Sequence, residues 1–250
     1  MKLSSRGLFA LSLIFSLTVI LFVFGATFTQ ETIGYILSFN LLFLFCAICF
    51  RVLALALWAA RIVLLARSLG YHVGFLHSLN MVLAGLLAGT ITPGQAGGEP
   101  VRVHELYRGG VKVGDATAVV IMERVLDGII LTGMGIIIML MTREIWSTFS
   151  TALIFLIIAA WVFLLSFLFI PFLAMRYPDR MKSLILRLVS WISEKLSHTR
   201  FSSSKICACA DAEIDTLFHG FNRFAGPARW GLFAGGCATA FFWVTEFLVA

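Results

Sequence analysis

Long apolar runs separated by short polar segments dominate the chain. The runs cover residues 7–28, 33–50, 114–142, 148–175 and 228–250. Each is close to or above the roughly 20 residues that an α-helix needs to cross about 30 Å of hydrocarbon. The pattern therefore predicts an all-α, polytopic integral membrane protein with about five transmembrane helices. We expect these helices to form a single domain over residues 1–250.

The distribution of Lys and Arg between the runs predicts the topology. A basic segment occupies residues 176–223, and further cations lie near Arg67, near Lys112 and at Lys2, before the first run. Cytoplasmic loops are enriched in Lys and Arg. We therefore expect these segments and the N-terminus on the cytoplasmic side of the cell membrane, and Gln30 on the outer side.

A shorter apolar stretch, residues 75–92, leads into the Pro- and Gly-rich turn TPGQAGGEP. Since Arg67 and Lys112 are both expected in the cytoplasm, the chain must enter and leave the membrane here on the same side. We therefore predict a re-entrant helical hairpin over residues 75–108. Non-helical backbone at membrane depth is tolerated only where it is buried in protein or lines a wet cavity, so this turn also indicates a functional site.

Three arginines, Arg51, Arg61 and Arg67, interrupt the continuation of the second apolar run. An Arg at the bilayer centre costs at least about 2.5–3.5 kcal/mol. We therefore expect Arg51 near a polar cavity or the inner interface. The stretch around Arg61 is expected at that interface as a basic amphipathic helix.

Composition narrows the class of protein and its partners. Of the 250 residues, 60% are hydrophobic and 13% are charged, against about 25% charged in soluble domains, which excludes a soluble domain of ordinary size. The net charge is +6, and the cations adjoin apolar runs, which favours an anionic membrane surface over nucleic acid as a partner. The last run ends without flanking polar residues, so we expect further helices after residue 250.

The first group of candidate residues lies in the predicted turn and at the start of the helix after it. Glycines there, including Gly94, Gly97 and Gly98, allow left-handed backbone and exposed N–H groups, and N–H groups at a helix start favour an anion such as phosphate. Glu99 and Arg102 are three residues apart and can form an ion pair. The alternative is a plain helix-breaking loop at the surface.

The second group lies in the fourth predicted run. Glu123 and Asp127 are four residues apart and share a helix face, and Arg124 is placed to pair with Asp127. Ionisable residues inside a membrane indicate function. The alternative is a structural ion pair that holds this helix to the hairpin, and one network can serve both purposes.

Several enzyme and cofactor sites are not predicted. The segment His104–Arg108 resembles a zinc protease motif but lacks its second His, and the sequence contains neither the Ser hydrolase motif G-x-S-x-G nor a P-loop. Cys46 and Cys49 form a C-x-x-C inside an apolar run, where a lipid-facing or packing role is the better interpretation. We expect no enzyme activity, no metal and no cofactor.

The segments TPGQAGGEPVRVHEL and AVVIMERVLDGIIL together resemble the transmembrane domain of the lysylphosphatidylglycerol synthase/flippase family. The family pattern is a Pro-Gly turn, Gly-Gly-Glu, an Arg three residues on, and Glu-Arg-x-x-Asp in the next helix. The matching residues, taken as candidate substrate-binding residues, are Pro93, Gly94, Gly97, Gly98, Glu99, Arg102, Glu123, Arg124 and Asp127.

The resemblance implies a domain that moves a phospholipid, or a lipid-linked anionic or aminoacylated headgroup, across the cytoplasmic membrane. Arg102 and Arg124 would hold a phosphodiester, while the carboxylates would hold the arginines or contact a cationic headgroup. The sequence departs from two-part members of the family because it contains no synthase domain. The alternatives are a membrane partner for a lipid synthase or glycosyltransferase, an enzyme acting on a lipid-linked substrate, and another kind of transporter.

Overall fold

The structure, a computed structural model, describes residues 17–25, 34, 40–92, 95, 97–142, 150–177, 180–187 and 203–249. Apart from short turns and single residues between helices, this part of the chain is α-helical and contains no β-strand. The all-α class predicted from the sequence is confirmed. Pro93 and Gly94 lie outside the described residues.

Seven helices are labelled here in chain order. They are α1 (Leu41–Ser68), α2 (Phe75–Ile91), α3 (Gly98–Arg108), α4 (Val113–Met141), α5 (Thr151–Arg176), α6 (Ser203–Ala225) and α7 (Arg229–Val249). Residues 17–25 and 180–187 are also helical. The chain divides into two compact units, residues 1–49 and 50–250, and the packing described below lies in the second unit.

Helices α1, α4 and α7 are each long and apolar enough to cross a membrane, and α2 is a shorter apolar helix. Large apolar side chains such as Val52, Leu140 and Phe241 are exposed on these helices, whereas Arg61 and Glu123 are fully buried. Apolar groups outside and compensated charges inside are the arrangement that a lipid solvent favours. The membrane class is confirmed, and the total of five spans stays a prediction.

The second apolar run and its continuation past Arg51 form one helix. Helix α1 continues without a break from Leu41 through Arg51 and Arg61 to Ser68, and Arg61 is completely buried. Arg61 therefore does not lie on an exposed basic face, as the expected amphipathic helix would require. The physical reason is that carboxylates on another helix neutralise Arg61, so its charge does not have to lie in water. The position of this stretch relative to the membrane interface stays a prediction.

The segment predicted as a basic loop, residues 176–223, contains most of helix α6. Apolar side chains of α6, including Phe218 and Phe221, are buried in the same core as residues of α4. The carboxylate of Glu213 also accepts a hydrogen bond (2.7 Å) from the N–H of Gly114, in the first turn of α4. This bond satisfies an N–H donor that the start of a helix leaves without an intrahelical partner. The buried side chains and this bond together show that α6 belongs to the folded core.

Helices α2 and α3 form the predicted helical hairpin. His77 Nε2 lies 2.9 Å from the carbonyl oxygen of Glu105. A Cβ atom placed on Gly98 would lie 2.8 Å from the carbonyl oxygen of Gly85. The early part of α2 thus contacts the late part of α3, which makes the pair antiparallel, and glycines allow the close approach. Whether the hairpin enters the membrane stays a prediction.

Candidate functional site

Three arginines and three carboxylates meet where helices α1, α3 and α4 pack together. We refer to them as the charge cluster, which consists of Arg61, Glu99, Arg102, Glu123, Arg124 and Asp127. The formal charges of these six side chains sum to zero. The predicted pairs Glu99–Arg102 (2.6 Å) and Arg124–Asp127 (3.1 Å) are both present.

Glu123 lies at the centre of the cluster and is fully buried. Its Oε1 atom accepts hydrogen bonds from Trp58 Nε1 (2.5 Å), Arg61 Nη2 (2.6 Å) and Arg102 Nη1 (2.7 Å). Arg102 comes from the hairpin and Arg61 from α1, so this single carboxylate joins both elements to α4. Removing one partner of such a buried network leaves an uncompensated charge, which costs about 3–5 kcal/mol.

Asp127 lies one turn further along α4 and continues the network. Its Oδ1 atom accepts from Arg61 Nη1 (2.5 Å) and from Trp243 Nε1 of α7 (3.0 Å). Its Oδ2 atom accepts from Arg124 Nη1 (3.1 Å). Thr239 Oγ1, also on α7, lies 3.3 Å from Arg61 Nη1, so α7 contacts the cluster at both Arg61 and Asp127.

Glu99 differs from the other two carboxylates because its side chain is 42% exposed. Its Oε1 atom lies 2.6 Å from Arg102 Nη2 and 3.0 Å from Arg124 Nε. The contact with Arg124 Nε has the distance of an ion pair without hydrogen-bonding angles. One carboxylate oxygen on the open side of the cluster therefore bridges two guanidinium groups.

Aromatic rings support the buried arginines. Arg61 Cζ lies 5.3 Å from the ring centre of Phe242, and Arg102 Cζ lies 5.4 Å from that of Trp58. The two rings are 5.5 Å apart and contact each other. Cation–π contacts of this kind fix the guanidinium planes and are strongest where water is excluded.

A polar cavity of about 270 Å³ opens beside the charge cluster. Its lining includes Thr90, Gln95, Glu99, Arg102 and Arg124. Arg102 is almost fully buried and is one of the residues that line this cavity. The cavity therefore offers hydrogen-bond donors and positive charge to an anionic group.

A second, larger cavity of about 580 Å³ lies between α3 and α4. Most of its lining is apolar, including Val103, Val120 and Ile121. Glu99 and Arg124 also line this apolar cavity. The same ion pair thus borders both cavities.

A sequence profile described as the lysylphosphatidylglycerol synthase TM region matches residues 9–250. The chain belongs to this family. A protein from Archaeoglobus fulgidus described as a UPF0104 membrane protein is 33% identical over 198 residues, which is 78% of this chain and 58% of the relative. The chain thus spans just under three fifths of the length of that relative. No solved structure matches the chain.

The structure brings five of the nine predicted site residues of this lysylphosphatidylglycerol synthase TM family member into direct contact. These are Glu99, Arg102, Glu123, Arg124 and Asp127. Gly98 adjoins them as part of the polar cavity lining. Pro93 and Gly94 are not among the described residues.

The left-handed backbone and exposed N–H expected at Gly97 are not observed. Its φ is −74°, and its N–H donates to the hydroxyl of Thr92 (2.8 Å), so this N–H is not available to an anion. Among the described residues of the turn, Gln95 has left-handed backbone, with a φ of 59°. Gly97 is required for its small size, because a Cβ atom there would lie 2.6 Å from Thr92 Cγ2.

Sequence reasoning missed Arg61 and Trp58 as members of the site. Both lie on α1 three residues apart, and both donate to Glu123 on α4. The available signal was Arg61 itself, an ionisable residue inside an apolar run, which in a membrane protein indicates a buried partner. Trp58 carries no comparable signal, since a tryptophan three residues from an arginine is common on any helix.

Proposed function

We propose that this member of the lysylphosphatidylglycerol synthase TM family translocates a phospholipid, or a lipid-linked molecule with an anionic or aminoacylated headgroup, across the cytoplasmic membrane. The observation that carries the proposal is the pair of cavities of opposite character that meet at Glu99 and Arg124. Family membership supports a lipid-related role in a membrane.

The polar cavity suits a headgroup. Moving a phosphodiester through a bilayer requires donors that replace its hydration, because a bare charge in hydrocarbon is very costly. Arg102 and Arg124 supply guanidinium groups, which bind phosphate oxygens by charge-assisted hydrogen bonds. Thr90 and Gln95 add neutral polar side chains to the lining.

The apolar cavity suits the part of an acyl chain that adjoins the headgroup. Its volume of about 580 Å³ falls within the range of roughly 300–1,000 Å³ that is usual for small-molecule sites. A lipid that lay across the Glu99–Arg124 pair would keep its charge in one cavity and its hydrocarbon in the other. This division of the ligand is what translocation of an amphiphile demands.

The buried part of the cluster holds the arginines in position. Glu123 neutralises the positive charge that Arg61 and Arg102 bring into the protein, and Asp127 does the same for Arg61 and Arg124. A preorganised site loses less free energy on ordering when a ligand binds. Glu99, on the open side, is also placed to contact a cationic group of an aminoacylated headgroup.

Reconstitution of the full-length protein in vesicles tests the proposal. A headgroup-labelled phosphatidylglycerol is placed in one leaflet, and its arrival in the other is followed with a membrane-impermeant quencher. We expect transfer with the native protein and its loss with Arg124→Gln. The matched control is Arg108→Gln, because Arg108 is exposed, pairs with Glu105 and lines neither cavity.

Two results would contradict the proposal. One is unchanged transfer by Arg124→Gln protein that inserts and folds as the native protein does. The other is the absence of transfer of anionic and aminoacylated lipids by the native protein, which would favour the alternative of a membrane partner for a lipid synthase or glycosyltransferase.

A further inference from the structure

We propose that Glu99 is an internal competitor for the ligand: its carboxylate occupies the place of an anion, and a monoanionic phosphodiester displaces it to reach Arg102 and Arg124. The inference rests on the proposed function, since it concerns the same site. It assigns to Glu99 the role of determining which headgroup charge the site accepts.

The position of Glu99 is that of a bound anion. Its Oε1 atom lies 2.6 Å from Arg102 Nη2 and 3.0 Å from Arg124 Nε. Charge-assisted bonds between a guanidinium group and a phosphate oxygen have similar lengths. Because Glu99 borders both cavities, a lipid that spans them meets this carboxylate first.

Burial separates Glu99 from the other carboxylates of the charge cluster. The side chain of Glu123 is 0% exposed and that of Asp127 is 8% exposed, whereas that of Glu99 is 42% exposed. A buried carboxylate that left its arginine would remain without water, which carries a large desolvation cost. Glu99 can turn towards the open side, where its charge is hydrated, so exchange at Glu99 is the least costly.

The charge balance of the cluster selects the charge of the ligand. Its three arginines face three carboxylates. Replacing the Glu99 carboxylate by one phosphodiester, which carries a single negative charge, keeps that balance. A phosphomonoester that carries a second negative charge would add an excess negative charge to the cluster. An uncharged lipid would leave the positive charge of the two arginines undercompensated. Both states are unfavourable in a partly buried site.

Equilibrium binding to the full-length protein in detergent tests the inference without any transport. The probe is radiolabelled phosphatidylglycerol, and the variant is Glu99→Gln, which keeps the shape of the side chain and removes its charge. A partly exposed ion pair contributes on the order of 1 kcal/mol, so we expect binding to tighten by about fivefold. Glu99→Asp, whose shorter carboxylate cannot bridge the two arginines as well, is expected to give a smaller gain.

The control is Glu105→Gln on the same helix. Glu105 also pairs with an arginine three residues on, at 3.2 Å, but lines neither cavity. We expect its binding to stay within twofold of that of the native protein. Diacylglycerol, which lacks the phosphodiester, should gain nothing from Glu99→Gln.

A phosphodiester ligand could be a membrane lipid or a soluble compound, and competition by a soluble glycerophosphodiester distinguishes the two. If Glu99→Gln tightens the binding of phosphatidylglycerol but the soluble compound competes only weakly, the ligand is a lipid. If only the soluble compound gains, the lipid assignment is overturned. Phosphatidylglycerol that binds equally or more weakly to folded Glu99→Gln protein overturns the competitor role itself.

The failures of the two proposals are distinguishable. Tighter binding by Glu99→Gln in a protein that moves no lipid would contradict translocation and leave the competitor role standing. Lipid transfer by the native protein, with no effect of Glu99→Gln on lipid binding, would contradict the competitor role and leave translocation standing. In an Arg124→Gln background the gain from Glu99→Gln should shrink, because Glu99 then has one fewer guanidinium group to block.

Discussion

Arg61 of α1 and Glu123 of α4 form an ion pair in which both side chains are fully buried, with Arg61 Nη2 2.6 Å from Glu123 Oε1. The pair joins the part of the chain before the hairpin to the helix after it. Arg61 also contacts Asp127 at 2.5 Å. This arginine therefore compensates two buried carboxylates at once.

We predict that Arg61→Met destabilises the folded protein by about 3–5 kcal/mol, because Glu123 and Asp127 lose a shared counter-charge in a place that water does not reach. The double variant Arg61→Met/Glu123→Gln should lose less, since it leaves two arginines facing two carboxylates in the cluster. Unfolding in detergent, followed by circular dichroism, measures both. Arg108→Met is the control, expected within about 0.5 kcal/mol of the native protein.

A double variant as unstable as the sum of Arg61→Met and Glu123→Gln would contradict this account. The two changes would then be independent, whereas contacting members of one network show interaction energies of about 0.5–3 kcal/mol.

The close approach of α2 and α3 gives a second prediction. A Cβ atom on Gly98 would lie 2.8 Å from the backbone oxygen of Gly85, which cannot move aside as a flexible side chain can. We expect Gly98→Ala to destabilise the protein by about 1–3 kcal/mol and to weaken lipid binding, because Gly98 lines the polar cavity.

Gly133→Ala is the matched control for Gly98→Ala. Gly133 also lies in a helix, and a Cβ atom there would meet nothing within 4 Å. The higher helix propensity of alanine should leave the stability unchanged or raise it by up to about 1 kcal/mol. Equal effects of the two substitutions on the unfolding midpoint would show that the hairpin is not tightly packed.

The re-entrant hairpin is tested by chemical labelling. Gln95 has left-handed backbone and lines the polar cavity. In a variant without native cysteines, we expect Gln95→Cys to react with a membrane-impermeant maleimide added to inside-out vesicles and not to right-side-out ones. Gln30→Cys, expected on the outer side, should show the opposite pattern. Labelling of Gln95→Cys from the external side alone would contradict the predicted topology.

Tyr71, in the turn after α1, gives a prediction about pH. Burial and a hydrogen bond to Asp115 (Oη to Oδ2, 2.6 Å) raise the pKa of the Tyr71 hydroxyl above its ordinary value of 10.0. A pKa that is higher in the folded state stabilises the fold below pH 10, and this contribution is lost as pH rises through the folded-state pKa.

We therefore expect the native protein to lose stability above about pH 10, and Tyr71→Phe to lose less over the same interval. Below that pH, Tyr71→Phe should be less stable by about 1–2 kcal/mol, because Asp115 loses a hydrogen-bond donor. Thermal unfolding between pH 8 and pH 11 measures both effects. Tyr177→Phe, which removes a hydroxyl from an exposed side chain, controls for the loss of a tyrosine.

The sequence was sufficient for features that depend on local spacing. Residues three or four apart on a helix face each other, so the contacts of Glu99 with Arg102 and of Arg124 with Asp127 could be predicted. The membrane class followed from the length of the apolar runs.

Features that depend on contacts between distant parts of the chain could not be predicted. Whether Arg61 lies at an interface or in a core depends on Glu123, 62 residues away, and a single sequence does not show that pairing. The burial of α6 against α4 also depends on a contact between distant parts of the chain. The charged and polar residues of α6 are typical of a surface segment, so the sequence did not predict this burial. The need for a small residue at Gly97 likewise depends on Thr92, whose side chain folds back against it.

The indole groups of Trp58 and Trp243 donate hydrogen bonds to Glu123 and Asp127, and Trp58 also stacks against Arg102. Indole emission responds to the electric field and polarity around the ring. The protein thus contains two fluorescent side chains that are hydrogen-bonded to the carboxylates of the charge cluster. In a variant whose other four tryptophans are replaced by phenylalanine, a shift in their fluorescence would register a rearrangement of these groups.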